Sequence, residues 1–496
     1  MKKISNIFLS VCLLICCSCE SVLDKEPITG YSYQNFWNEP AQASAALNGA
    51  YFRLQTTLNT EFITYGEARA DNLDVKLYNA GTYALANNTL NADYAYTDWG
   101  NFYRVIGQVN LIIKNVQEMK AKGLYVNKDA EYNRILGQAL GLRALCYLWM
   151  VKVWGNVPLV TDPVEYDGDI NAFKRTRTDT LQVYNQISTD LLRAQPLLPA
   201  SYTDNRKTRA TLTKGAIDAM LTDYYMWRNK LDSALITSNR ILSNTTQYKL
   251  ANLYDSSIDF FSKPHVDIDN TEYAKMFIEG FSAESIFEIA FSYAEGTNSG
   301  LASLFGGGSA VVFYYVHPAF VSIFSSTDLR LRNNFKSESQ IFKMFPKGTF
   351  DRAKENDKNV ILYRLADIIL LRAEALVLKG DLNGAWTLLK RVRERVFGVA
   401  SATNTSNNNL TGPTGSTTES NFKAMTIADA HEVILEERRK ELCFEGKRWF
   451  DLVRTGKAIS KMESINGLKS QENILFPINL NIIRQNPLIE QNEYYK

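Results

Sequence analysis

Two stretches of the chain follow one plan: an apolar stripe at helical spacing, a short break, then a second stripe. In residues 365–379 the stripe is Leu365, Ile368, Ile369, Ala373 and Leu376, and Gly380 interrupts it. Residues 381–396 resume with Ala385, Leu388, Leu389 and Val392. Earlier, residues 216–227 and 232–242 repeat the plan around a turn at 229–231, the second stripe being Ala234, Leu235, Ser238 and Ile241. Apolar residues three and four apart fall on one face of a helix. Residues 137–153 carry the pattern through Leu140, Ala144, Tyr147, Leu148 and Val151, and Gly155 and Pro158 stop it. A striped helix must bury its stripe against a neighbour, so packed helical pairs are expected.

Small residues stand where the helices of each pair would cross. This resembles the general pattern of a tetratricopeptide hairpin, with the tryptophan and proline signature positions unfilled. The expected fold is mainly α: a tetratricopeptide-like helical-pair scaffold with an irregular, loop-rich region and a few short strands. Irregular stretches interrupt the helices at 77–100, 293–318 and 400–421. The first two are rich in aromatic side chains, and long loops in a compact domain are commonly functional. The third is polar and low in complexity, and reads as a solvated, mobile surface loop.

Net charge is +2 across 496 residues, so there is no electrostatic footprint for nucleic acid. The 26 Tyr, 25 Phe and 7 Trp suit surfaces that bind while staying wet. Of six cysteines, Cys12, Cys16, Cys17 and Cys19 crowd the N-terminus, leaving Cys146 and Cys443 in apolar, helical sequence as expected buried thiols. Lys2 and Lys3 precede an apolar run at 7–15, Ser18 precedes Cys19, and residues 20–26 are polar. This describes a signal peptide at 1–18, lipidation at Cys19 and a polar leash over 19–27. Cys16 stands where the lipidation motif usually has Leu. Several acyl chains, at about 0.8 kcal/mol per buried CH₂, would make the anchor effectively permanent.

The search for chemistry is thin. His265, His317 and His431 have no metal-ligand spacing, and the acidic alternation at 265–270 lacks the glycine and distal glutamate of a calcium loop. There is no G-x-S-x-G elbow or P-loop, and the triple glycine at 306–308 reads as a hinge. Glu436, Glu437, Glu441 and Glu445 are interleaved with Arg438, Arg439, Lys440, Lys447 and Arg448. On a helix Glu437 and Glu441 share a face, with Arg438 expected to reach Glu441 and the neighbourhood of Glu445. Nearby cations hold carboxyl pKa values down, so an ion-pair network is expected there rather than a general acid. No catalytic residue, metal site or cofactor is expected.

Residues 434–452, Ile-Leu-Glu-Glu-Arg-Arg-Lys-Glu-Leu-Cys-Phe-Glu-Gly-Lys-Arg-Trp-Phe-Asp-Leu, resemble the C-terminal signature of the RagB/SusD family. The pattern E-R-x-x-E-L-x-F-E-G-x-R-W-x-D-L-x-R-x-G is filled from Glu437 to Gly456. Further pieces fall in family order: Leu23-Asp24 to Pro27 at the mature start, Phe36-Trp37 and Asn48-Gly49-Ala50-Tyr51 in a first helix, and Gly155-Asn156-Val157-Pro158-Leu159 after a central helix. Arg209-Ala210-Thr211 leads the next pair, Glu284 to Ile289 resembles a strand motif, Arg364 to Ala375 a helix, and Phe476-Pro477-Ile478 with Asn486-Pro487 the closing motif. Gln138, Asp367, Asn479 and Glu493-Tyr494 depart from the family pattern at helix faces and turns.

The resemblance implies a nutrient-binding lipoprotein of the bacterial outer membrane, acting without catalysis. It divides the chain into an N-terminal region at 28–230 and a C-terminal region at 280–496. It implies a SusC-like TonB-dependent transporter as partner, packed against the helical-pair face, and a glycan ligand or, in some branches, a peptide. A lipoprotein glycosidase and a purely structural adaptor are the other readings of the residues. A glycan binder needs flat rings and amides. The candidates are Tyr78, Tyr83, Asn91, Tyr94 and Tyr96 in the first aromatic loop, and Phe305, Tyr314 and Tyr315 in the second. Trp99, Phe102 and Tyr103 are expected in the core of the following helix.

Overall fold

The structure, a computed structural model, describes residues 36–75, 79–163, 170–253, 271–306, 312–325, 328–335, 341, 343–344, 357–397, 411–412 and 415–496. Cys19, Tyr78, His265 and most of 400–421 lie outside the described residues. The helices that carry the scaffold are α1 (Pro40–Leu58), α2 (Gly100–Ala121), α3 (Asp129–Trp154), α4 (Thr180–Leu197), α5 (Lys214–Trp227), α6 (Leu231–Leu242), α7 (Leu365–Leu378), α8 (Leu382–Phe397), α9 (Ile427–Glu441) and α10 (Arg448–Arg454). From α1 to α8 each helix packs on the next in chain order, and α9 adds to the flank of α7. Packing between sequential neighbours is the solenoid plan that the paired stripes imply.

The striped residues face the core. Leu365, Ile368, Ile369 and Ala373 of α7 are buried, as are Ala385, Leu388, Leu389 and Val392 of α8. The stripe at 137–153 lies inside the longer α3, because Ile135 and Leu136 extend its buried face upstream. Polar side chains start the helices: Thr213 accepts from Ala216 N at 3.3 Å, and Asp179 from Leu181 N at 2.8 Å. Trp99 and Phe102 are buried beside Trp154, and the Tyr103 hydroxyl donates to Pro158 O at 2.6 Å. Cys146 and Cys443 are buried free thiols. Among the described residues no helix is long and apolar enough to cross a membrane.

Two small antiparallel ladders join distant parts of the chain. Strand β1 (Leu73–Val75) pairs with β3 (Tyr314–Val316), Asp74 opposite Tyr315. Strand β2 (Ser285–Ile289) pairs with β4 (Val360–Arg364), which runs directly into α7.

The point where β4 meets α7 is the charge hub of the molecule. Arg364 Nε donates to Glu445 Oε2 at 2.7 Å, and its Nη1 donates to Glu284 at 2.6 Å and Glu441 at 2.7 Å. Arg395 joins Glu284 and Glu441, and Arg330 joins Glu437 at 2.7 Å. Lys343 reaches Glu445 at 2.5 Å. Burial alone raises these carboxyls, but the guanidinium groups outweigh it. Arg395, Arg364 and Arg330 hold Glu441 far below the usual carboxylate range, and Arg330 with Arg393 hold Glu437 down to about 2. The expected network is present, with one difference. Arg438 does not turn to Glu441. It sits about 100° around α9 from Glu437 and binds Asp367 at 2.9 Å and Asp451 at 3.0 Å. It therefore ties α9 to α7 and α10.

Glu288 on β2 is the counterexample. It is fully buried, and its carboxylate accepts from Phe281 N at 2.5 Å and Asn359 Nδ2 at 3.3 Å. No salt bridge reaches it among the described residues, and burial pushes its carboxyl up to about 7.

Candidate functional site

The first aromatic loop is held in place by the C-terminal signature. The carboxylate of Glu67 is fully buried and accepts from Phe444 N at 3.1 Å, Lys447 N at 3.2 Å and Asn72 Nδ2 at 2.8 Å. Phe444 and Gly446 both have positive φ, +66° and +69°, so the turn aims its amides at that carboxylate. Gly446 needs this conformation and the space as well. A Cβ there would strike the carbonyl of Phe62, and one on Gly66 would strike the carbonyl of Gly446. Asp71 is paired with Arg448 at 2.8 Å and Arg439 at 3.1 Å. These bonds fix residues 66–72, which lead directly into β1.

Arg69 ties the same segment to the end of the chain. Its guanidinium is fully buried, 4.3 Å from the Trp449 ring, and donates to Ile474 O at 2.7 Å, Asn473 O at 2.6 Å and Asn88 Oδ1. All these acceptors are neutral, and burial draws its pKa down to about 10. The segment that follows carries Phe476, which meets Tyr65 edge-on at 5.4 Å and Tyr96 edge-on at 5.9 Å. Asn479 then donates to Tyr94 O at 3.1 Å and Thr97 Oγ1 at 3.0 Å, and Leu480 N donates to Ala92 O at 3.1 Å.

On this support the tyrosines gather. Tyr94 and Tyr96 stack with ring centroids 5.2 Å apart and planes 28° from parallel. Both rings lie against Gly81, whose absent side chain makes room for them: a Cβ there would stand 3.3 Å from Tyr96 Cε1. Gly81 is in the short helix Ala80–Ala86, capped by Asn79 accepting from Thr82 N at 2.9 Å. Tyr83 rises from the same helix and is 50 % exposed. Tyr94 and Tyr96 are each partly exposed. Burial, with the neighbouring Tyr94 and Tyr314 hydroxyls, pushes the Tyr96 phenol well up, so it remains a neutral donor. The Asn91 carbonyl accepts from Asp93 N at 3.0 Å and shapes the loop while the residue stays exposed.

The second loop contributes less than expected. Tyr314 is buried on β3 beneath the platform, and Phe305 is only 3 % exposed, its ring 6.0 Å from that of Phe444. The helix Leu301–Phe305 packs inward on the signature turn, which removes Phe305 from the surface. Tyr315 alternates with Tyr314 along β3, so it points to the other face and is half-buried. Sequence reasoning missed the residues beneath the platform, Tyr65, Arg69 and Phe476. Phe476 was visible only as part of the closing motif, and Arg69 carried little local signal because two of its three acceptors are about 400 residues away.

The fold, helical pairs in chain-order contact with a charged C-terminal lock, is that of solved SusD-like structures. Two SusD-type family models match separate parts of the chain. A model described as "SusD family" matches residues 314–495, and one described as "Starch-binding associating with outer membrane" matches residues 22–226. A SusD-like protein of Formosa agariphila is 29 % identical over 551 residues, spanning the whole of both chains. Among solved structures, a laminarin-binding SusD-like protein superposes with a TM-score of 0.72 at 23 % identity, covering 92 % of this chain and 100 % of its own. B. fragilis NanU superposes with a TM-score of 0.73 at 22 % identity, covering 95 % and 100 %.

Proposed function

We propose that the protein is a glycan-binding lipoprotein of the outer membrane, which captures an oligo- or polysaccharide on the Tyr83–Tyr94–Tyr96 platform. The ligand is delivered to a SusC-like TonB-dependent transporter packed on the helical-pair face. Cys19 carries the lipid, and residues 20–27 are the leash. The observation that carries this reading is the partly exposed, stacked Tyr94–Tyr96 pair, flat apolar faces with hydroxyl edges that match the two faces of a sugar ring. The family description as starch-binding and associated with the outer membrane supports it, as does the laminarin-binding relative of the same fold. Binding rather than catalysis fits a signature whose carboxylates are held ionised by arginines, unlike a glycosidase acid with its raised pKa.

Calorimetry against a panel of glycans and peptides tests the site. The expected result is binding of a glycan without hydrolysis, weakened about tenfold or more by Tyr83→Ala with Tyr96→Ala. Binding of peptides alone would reassign the ligand, hydrolysis would reassign the class, and an unaffected double variant would move the site elsewhere. For the anchor, Cys19→Ala should release a folded protein from the membrane fraction, and retention there would count against lipidation at that residue.

A further inference from the structure

A cleft of about 790 Å³ begins two residues beyond Tyr96, at Asp98 and Trp99. This is within the range of about 300–1,000 Å³ typical of small-molecule sites. Its walls are the start of α2, the stretch around Pro158–Asp162 with Phe173–Arg175, and the C-terminal helix Leu480–Gln485 continuing to Ile489. Ile106, Pro158 and Ile489 give it a buried apolar floor, and Phe173 stands at it 46 % exposed. The Gln485 amide, the Lys174 ammonium and the Asp162 carboxylate also line it, and none of these three groups has a hydrogen-bond or ion-pair partner among the described residues. Asp98 and Asp162 face Arg104, Lys174 and Arg175, so the charges of the lining nearly cancel. An apolar floor, an exposed ring and uncommitted polar groups of both signs suit a neutral polyhydroxylated ligand better than a polyanion or a purely apolar segment.

The cleft is coupled to the platform by construction. Asn479 caps the Leu480–Gln485 helix and holds the Tyr94 carbonyl and the Thr97 hydroxyl, while Asn481, Ile482 and Gln485 line the cleft. Tyr96 on the platform and Asp98 in the cleft are two residues apart, at most about 7 Å along the backbone. We infer that the cleft is a second sugar-binding stretch, contiguous with the tyrosine platform, through which the protein favours long neutral glycan chains over short ones. The inference rests on the glycan reading above and adds chain-length selectivity to it.

The test is calorimetry with laminari- and malto-oligosaccharides graded from disaccharide to octasaccharide, on the full mature chain and on Phe173→Ala with Gln485→Ala. Both side chains are surface groups, and circular dichroism confirms that the variant is folded. The expected result is affinity rising at least tenfold with chain length in the natural protein, with that rise lost in the variant while affinity for the shortest binding sugar is unchanged. Hydrogen exchange should show protection of residues 481–489 by the longest oligosaccharide and not by the shortest. A length dependence that survives in the variant overturns the inference, as does affinity independent of length or occupation of the cleft by residues 20–35 of the chain itself. Failure of every sugar to bind removes the glycan reading, and this inference with it.

Discussion

The ion-pair hub around Arg364 and the tyrosine platform stand at opposite extremes of constraint. At the hub every charge is out of water, and each carboxylate is matched by guanidinium or ammonium groups from distant segments. Removing one partner strands another, so the residues depend on one another. On the platform Tyr83 is half in solvent and Tyr94 and Tyr96 rest on a glycine and a neighbouring ring. Replacing Tyr94 or Tyr96 strands no buried charge. One region determines whether the protein folds, the other what it holds, and substitutions should separate the two.

The largest effect is expected at the hub. Arg364→Ala leaves Glu284, Glu441 and Glu445 buried with too few cations and should cost about 3–5 kcal/mol in urea unfolding. A loss below about 1 kcal/mol would mean that the hub does not hold the fold. Next, Gly446→Ala should cost about 3 kcal/mol, through positive φ and the Phe62 carbonyl, and lower the melting temperature with no direct contact to ligand. An unchanged melting temperature would show that the turn relaxes freely.

Glu288 sharpens the contrast, because it is buried without the cations that hold Glu441 ionised. Its folded pKa of about 7 lies above that of an unfolded glutamate, near 4.5. The folded state therefore binds the proton more tightly. Its contribution to stability is full below pH 4.5 and is lost as pH rises towards 7. Glu288→Gln removes that dependence and should gain on the order of 2 kcal/mol relative to the natural protein at pH 8 compared with pH 5. Parallel pH–stability curves for the two proteins would place a cation beside Glu288. The smallest stability effect belongs to Tyr83→Ala, within about 0.5 kcal/mol, even as glycan affinity falls. A larger loss of stability would make Tyr83 a structural residue.

The same contrast explains what could be read from the sequence. The helical pairs were legible because a stripe such as Leu365, Ile368, Ile369 and Ala373 satisfies its burial locally, by period alone. The signature was legible as a network because its charges are dense. The direction of Arg438 was not, since which way it turns depends on Asp367 and Asp451 arriving from other helices. At the site, aromatic residues in a loop give no sign of which rings face water. Phe305 and Tyr96 look alike in sequence, yet one packs on Phe444 and the other on a glycine. Arg69 and Phe476, which seat the platform, acquire their roles only when the two ends of the chain meet.

The Glu67 carboxylate has a consequence for the order of events during folding. Its backbone donors at Phe444, Lys447 and Arg448 are 377 to 381 residues further along the chain. Until they arrive, the segment that bears the tyrosine loop has a polar group it cannot bury. Contacts of such sequence separation form late, because a long loop must close before they are rewarded. A nascent chain can therefore stack its early helices as they emerge, but the platform cannot take shape until nearly the last residues have been made. Chains truncated before Glu441 should be helical and unable to bind.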